Sequence, residues 1–202
     1  MFYYGTHNSG TAGPLVWWQW IFTWIFQLVS KCQNLSIKEQ LEKGVKVFNL
    51  QIVWYNGAWH FSHGLCVYKE KLKDAISLMN DYSTENNRIY FQLYLDKNFF
   101  LGQNKDKFYE LVEELSIVCS PVQKVIMLTA WVEGTEEYVY SSGIDIKLVE
   151  KYWTLSWGKM YGKEWIDKLP LPYRHAKIYN SKYKSEYKDK VDYLMLDFFE
   201  IS

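Results

Sequence analysis

Gly5-Thr6-His7-Asn8-Ser9-Gly10-Thr11 follows the aromatic run Phe2-Tyr3-Tyr4, and its reading decides the fold. The aromatic run forms a short strand, and the small and polar residues behind it form a turn. His7 therefore stands where a strand opens into a loop, at the end of a sheet. Gly5 and Gly10 let the backbone bend sharply or come close to a ligand. Taken alone, such a stretch reads as a polar turn whose histidine only satisfies local hydrogen bonds. Two distant features change the balance: His63-Gly64, after another predicted strand, and Asp197, a lone carboxylate at the end of the last one.

Outward from that stretch, the chain alternates strands with helices. Leu15 to Val29 is apolar and carries Trp17, Trp18, Trp20, Phe22, Trp24 and Phe26. It is shorter than the ~20 residues a spanning helix needs, and Gln19 and Gln27 interrupt it. It reads as a helix or loop packed on the rest of the fold. Its tryptophans also suit a lipid–water boundary or a partner surface. Ser36 to Gly44 is a short helix with a capping box of Ser36 and Glu39 and a C-terminal Gly44. Val45 to Val53 is a strand, Asn56-Gly57 a hairpin turn, and Trp59 to His63 the returning strand. Tyr68 to Tyr82 has helical spacing, Ile89 to Leu95 is a strand ending at Asp96-Lys97, and Lys105 to Cys119 is a helix broken by Pro121. Lys124 to Thr129 is a strand. Ile144 to Lys151 reads as helix, Thr154 to Trp157 as strand, Lys163 to Leu169 as helix, Ala176 to Tyr179 as strand, Ser181 to Lys190 as an exposed helix and Tyr193 to Asp197 as the final strand.

About eight strands with helices between many of them predict parallel strands and helical crossovers. The expected fold is α/β: a compact, distorted TIM (β/α)8-type barrel formed by residues 1–202 as a single domain. The chain's 202 residues lie at the short end of the roughly 200 to 400 usual for that fold. Active sites in such barrels sit at the C-terminal ends of strands, where His7, His63, Asp96 and Asp197 are all predicted to fall.

Composition bounds the function. Aromatic residues make up 19% of the chain, which argues against disorder, and the formal net charge of +0 gives no electrostatic case for nucleic acid. No phosphate-cradling glycine-rich loop precedes a helix in the pattern of a nucleotide site. The three cysteines are far apart and have no zinc-type spacing, so free thiols in a reducing compartment are expected, with no metal and no cofactor. No signal peptide is visible, which predicts an intracellular or virus-associated protein, peripheral on membranes if bound to them at all. Richness in Asn, Tyr, Ile and Phe fits a low-GC bacterial or viral genome. Oligomeric state is left open.

The stretch from Gly5 to Thr11 resembles the first catalytic signature of phosphatidylinositol-specific phospholipases C, especially the small bacterial and viral type. Cys32 to Phe48 is similar to that family's helix-to-second-strand block, His63-Gly64 to its second histidine, and Leu196-Asp197-Phe198 to its last strand. The resemblance covers roughly the first third of the chain and the C-terminus. It implies a phospholipase-C-like phosphodiesterase without metal. In it, His7 is the general base on the attacking hydroxyl, His63 the general acid on the leaving alcohol, and Asp197 the group that orients His7. The partner it implies is a phosphoinositide or another phosphodiester lipid. Asn8, Asn49, Gln51, Asp96 and Lys97 are the expected substrate contacts, and Trp17, Trp18, Trp20 and Trp24 the membrane or partner contacts. Trp131, Trp157 and Tyr161 are of a type that stacks on sugar rings. His60 is expected to be a satisfied histidine.

The sequence departs from the family at the second strand. Asn49 and Gln51 stand where bacterial members carry aspartate and arginine and where calcium-dependent relatives carry two acidic ligands. A phosphodiester attack builds negative charge, and losing one pre-organised donor can cost about 10²–10³ in rate. Lys97 or Lys46 are the candidate replacements. The alternative reading is therefore a catalytically silent barrel with a binding or structural role, in a virion or at a membrane.

Overall fold

Along the chain of the computed structural model the elements are β1 (Tyr3–Thr6), a 3-10 turn (Trp17–Phe22), α1 (Thr23–Ser30), α2 (Ile37–Glu42), β2 (Val47–Tyr55), β3 (Ala58–His63), β4 (Cys66–Lys71), α3 (Leu72–Tyr82), β5 (Ile89–Leu95), α4 (Lys105–Val118), β6 (Val125–Val132), β7 (Tyr138–Ser141), β8 (Leu148–Val149), α5 (Pro172–Tyr187) and β9 (Tyr193–Leu196). The structure describes residues 3–135, 138–144, 148–149, 172–188, 190 and 193–201, with the backbone alone at 20–24, 26, 29, 148–149, 172, 174–175, 178–179, 183 and 193.

The strands form one sheet in the order β7-β6-β5-β2-β1-β9-β8, with the β3–β4 hairpin branching from the far end of β2. All neighbours from β6 to β8 are parallel; β7 turns back antiparallel on β6, and β3 turns back on β2. Among the described residues no pairing joins the edge strands β7 and β8, so the closed ring expected from the strand count is not observed. The reason is local. β6 is followed by a hairpin strand, where a helical crossover would have delivered another parallel strand. The coarser expectation of an α/β fold built on parallel strands holds.

Parallel strands covered on both faces read as unbroken apolar runs. Val47 to Val53 is buried throughout, Asn49 and Gln51 included. Ile37, Leu41, Ala75, Met79, Phe108 and Val112 bring α2, α3 and α4 onto the sheet in one apolar cluster with Phe48, Leu50, Phe91 and Leu93. The capping box of Ser36 and Glu39 is present, and Asn56 (φ 47°) and Gly57 (φ 78°) make the expected hairpin turn.

Three element expectations need correction or qualification. The helix expected over Tyr68 to Tyr82 begins only at Leu72. Val67 and Cys66 pair with Ser62 and His63 instead, around Gly64 at φ 60°. The strand expected at Ala176 to Tyr179 belongs to α5. That helix opens on Pro172, a residue suited to a first turn, and turns the buried Ala176, Asn180 and Tyr187 inward at helical spacing. In the stretch expected to be helical from Ile144 to Lys151, Leu148 and Val149 pair with Tyr193 and Leu194 as a strand. Thr154 to Trp157 and Lys163 to Leu169 lie outside the described residues.

Gly10 shows why the first turn must be small. A Cβ built there would lie 2.1 Å from Cγ of Phe61, a fully buried ring on β3. The glycine admits a neighbouring side chain rather than a ligand. Gly10→Ala is expected to cost about 1–3 kcal/mol by overpacking, lowering the melting temperature by roughly 2–12 °C at about 2–4 °C per kcal/mol. Thermal denaturation followed by circular dichroism checks this, and an unchanged midpoint would refute the contact.

Candidate active site

Parallel pairing of β1 between β9 and β2 sets the ends of β1 (Thr6) and β9 (Leu196) beside Phe48, near the start of β2. His7 follows β1 and donates its backbone N–H to Leu196 O at the end of β9 (3.1 Å). Asn8 takes a left-handed conformation (φ 45°), which asparagine tolerates better than most residues. The loop is then tied to β2. Asn8 N donates to Asn49 Oδ1 (3.2 Å), Ser9 N to Asn49 O (2.8 Å), and Asn49 N to Ser9 Oγ (3.1 Å). Gln33, which the sequence did not single out, closes the arrangement by donating from Nε2 to both His7 O (2.9 Å) and Leu196 O (2.8 Å). Gln40 does the same for Ser9 O (2.9 Å) and accepts from Thr6 Oγ1 (2.7 Å). These amides clamp the histidine-bearing loop, but nothing in their sequence spacing marks them as part of a site.

His7 and Asp197 form a buried pair, with Nδ1 2.9 Å from Oδ1. A carboxylate accepts, so the proton sits on His7 Nδ1 and the lone pair on Nε2. His7 lines a cavity of about 270 Å³ together with Asn49, Gln51, Tyr94, Trp131, Glu133 and Gly134. His63, at the end of β3, packs edge-on to His7 with ring centroids 6.3 Å apart. Its Nδ1 donates to Ser30 O (2.8 Å), which leaves Nε2 as its exchangeable position. Burial pushes the His63 imidazole below its ordinary value of 6.5; the Ser30 hydrogen bond opposes this only in part, and the neighbouring His7 adds to it. His60 is the satisfied histidine expected of it, with Nδ1 donating to Tyr68 O (2.9 Å).

The remaining expected contacts divide. Asn49 and Gln51 both face the cavity, and the Asn49 amide Nδ2 is buried without a hydrogen-bond partner. Gln51 Nε2 donates to Asp96 Oδ1 (2.9 Å) and, at 3.4 Å, to Glu133 Oε2. Burial pushes the Asp96 carboxyl well above the ordinary carboxylate range, and its hydrogen bond with Glu133 adds to the shift. Glu133 is the acidic group that sequence reading passed over. It follows β6, where no motif was sought. Lys97 donates its backbone N–H to Glu133 (2.7 Å) while the residue itself is exposed. Lys46 pairs by backbone with Tyr4, at the opposite end of the strands from His7, so it cannot reach the site.

Trp17 is 72% exposed, and Trp18 is half-buried against Phe100 at 5.2 Å. The side chains of Trp20 and Trp24 lie outside the described residues, as do Trp157 and Tyr161. Trp131 is in place on the cavity wall. Phe99 (78% exposed) and Phe100 (47%) extend the apolar surface toward the site, since Phe99 N donates to Gly64 O, next to His63.

The chain's fold is similar to that of solved bacterial phosphatidylinositol-specific phospholipases C. The one from Listeria monocytogenes superposes with a TM-score of 0.61 at 14% identity, covering 96% of this chain and 86% of that one. A point mutant from Staphylococcus aureus gives 0.56 at 12% identity over 96% and 84%. An S. aureus structure concerned with modulation of membrane binding gives 0.59 at 13% over 97% and 85%. At such identities the likeness is one of fold. No protein-family model and no curated protein matches the sequence.

Proposed function

We propose that the protein is a phospholipase-C-type phosphodiesterase acting on lipid phosphodiesters, phosphatidylinositol first among them, and that its sheet is a distorted form of the (β/α)8 barrel. The observation that carries this reading is the buried His7–Asp197 pair at 2.9 Å, with His63 beside it and a cavity in front. In this reading His7 Nε2 takes the proton of a hydroxyl adjacent to the phosphate. That oxygen attacks phosphorus, the bond to the glycerol oxygen breaks, and His63 Nε2 gives the leaving oxygen its proton, so that a cyclic phosphate and a diacylglycerol result. Asp197 holds the imidazole in the productive tautomer and stabilises its protonated form. The partnerless Asn49 Nδ2 is the donor best placed to meet phosphoryl charge. The intact histidine–aspartate pair supports catalysis over the silent alternative.

The test is release of water-soluble phosphate ester from phosphatidylinositol vesicles, without metal and then with calcium. Turnover by wild type that disappears in His7→Ala supports the reading; an inert wild type in both buffers overturns it. The pH profile adds a sign. His63 must be protonated in the free enzyme, and its value is lowered. Thus kcat/KM is expected to fall as pH rises, with an alkaline limb below the ordinary 6.5 of an imidazole. A limb above that value would assign the acid to another group.

Phe99 and Phe100 form an exposed apolar rim near His63, and exposed Trp17 precedes Trp18, which packs on Phe100; this supports peripheral attachment to a lipid surface. The double substitution Trp17→Ala, Phe99→Ala is expected to weaken vesicle sedimentation at least tenfold. Cleavage of a soluble phosphodiester should stay unchanged, and equal sedimentation would remove the rim from the reading.

A further inference from the structure

Beside the His7–Asp197 pair lies a cysteine that the proposed reaction does not use. Cys32 is fully buried. Its Sγ lies 3.6 Å from His63 Nδ1 and 3.5 Å from Asn8 Nδ2, and the same Asn8 amide stands 3.4 Å from His7 Nδ1. One ligand atom from each of His7, Cys32 and Asp197 lies within 4.8 Å of the other two. The cluster also holds two buried oxygens without a hydrogen-bond partner, Asp197 Oδ2 and Asn8 Oδ1. A nitrogen, a sulfur and carboxylate oxygens around one point are the ligand types of a tetrahedral zinc site. On such an ion, with bonds of about 2.0 Å to nitrogen or oxygen and 2.3 Å to sulfur, ligand atoms sit roughly 3.3–3.7 Å apart. Against the observed 4.8 Å bound, this spacing needs closure by up to about 1.5 Å. Turning the Asn8 amide over, an orientation that hydrogen bonding alone assigns, would remove its N–H groups from the centre and present Oδ1 as a fourth ligand.

We propose that His7, Cys32 and Asp197 form a site for a thiophilic divalent metal ion of the zinc type, and that its occupation switches the active site off. The inhibitory consequence follows from proton placement. Catalysis needs the proton on His7 Nδ1 and the lone pair on Nε2. A metal on Nδ1 forces the remaining proton onto Nε2, so the imidazole can no longer accept one. It also takes Asp197 away from His7, and it displaces the thiol proton to solvent. The site itself stands on the cluster's geometry. Only the inhibitory half rests on His7 being the general base.

The experiment is a zinc titration of the intact protein against a chromophoric chelator at neutral pH, with wild type, Cys32→Ser and Cys119→Ser. Cys119 is buried but belongs to the apolar core on α4's side of the sheet. Wild type and Cys119→Ser are expected to take up one zinc per chain, and Cys32→Ser to bind at least tenfold more weakly. Circular dichroism checks that each variant is folded. Cobalt(II) loading gives a second readout, because a thiolate ligand produces a near-ultraviolet charge-transfer band that the Cys32→Ser protein must lack. Equal uptake by wild type and Cys32→Ser, or no stoichiometric uptake, overturns the site. In the vesicle assay, zinc should inhibit wild type at concentrations that spare Cys32→Ser; stimulation by zinc overturns the inhibitory assignment. If the metal-free protein has no lipid turnover, the proposed activity fails, while zinc uptake still decides the site.

Discussion

His7→Ala lowers phosphatidylinositol turnover by about 10²–10⁴, the range that a positioned general base supplies, and Asp197→Asn falls within the same range. The two substitutions act through one unit. His7 Nδ1 and Asp197 Oδ1 are 2.9 Å apart and both residues are buried, so water cannot replace the carboxylate. In Asp197→Asn the amide can donate to Nδ1, which places the imidazole proton on Nε2 and leaves no base facing the cavity. Combining the two substitutions should therefore cost little more than either alone, because residues that act as a unit are not additive. Additive losses would mean that Asp197 serves something other than His7. A His7→Ala protein as active as wild type would remove the mechanism.

Gln51→Arg raises turnover by about 10²–10³, the size of one pre-organised electrostatic donor. The surroundings of Gln51 are what make the gain expected. Its amide already spends Nε2 on Asp96 and Glu133, two carboxyl groups without a cation partner among the described residues. A guanidinium at this position would be held by that pair and would extend into the cavity that Gln51 lines. Its free N–H groups then meet the phosphoryl oxygens, beside the Asn49 amide. Equal turnover by wild type and variant would show that phosphoryl charge is met elsewhere.

Much of the candidate site was legible because the chemistry clusters at strand ends, and strand ends are what a periodic sequence marks best. His7 and Asp197 follow β1 and β9 directly, and parallel pairing of those strands makes residues 190 positions apart neighbours. Glu133 stayed hidden because a single glutamate after a strand looks like any solvated carboxylate. Gln33, Gln40 and Cys32 stayed hidden for a related reason. A buried amide or thiol has no sequence period, and its role is set by which carbonyl or imidazole it reaches. Tyr68 and Ala176 show the limit for elements. Local spacing favoured a helix at the first and a strand at the second, but pairing with β3 and burial along α5 overrode both.

By itself the sequence determined the alternation of strands and helices, the capped second helix, the Asn56-Gly57 hairpin and the placing of two histidines and one aspartate at strand ends, since each of these depends on residues close together in the chain. Only the tertiary structure decided that the sheet stays unjoined between β7 and β8 among the described residues, that Gly10 is small for the sake of Phe61, that Gln51 reaches Asp96 and Glu133, and that Cys32 stands beside the His7–Asp197 pair. Those facts depend on the register and packing of segments far apart in sequence, where a shift of one residue would exchange every side chain facing the site for one facing away.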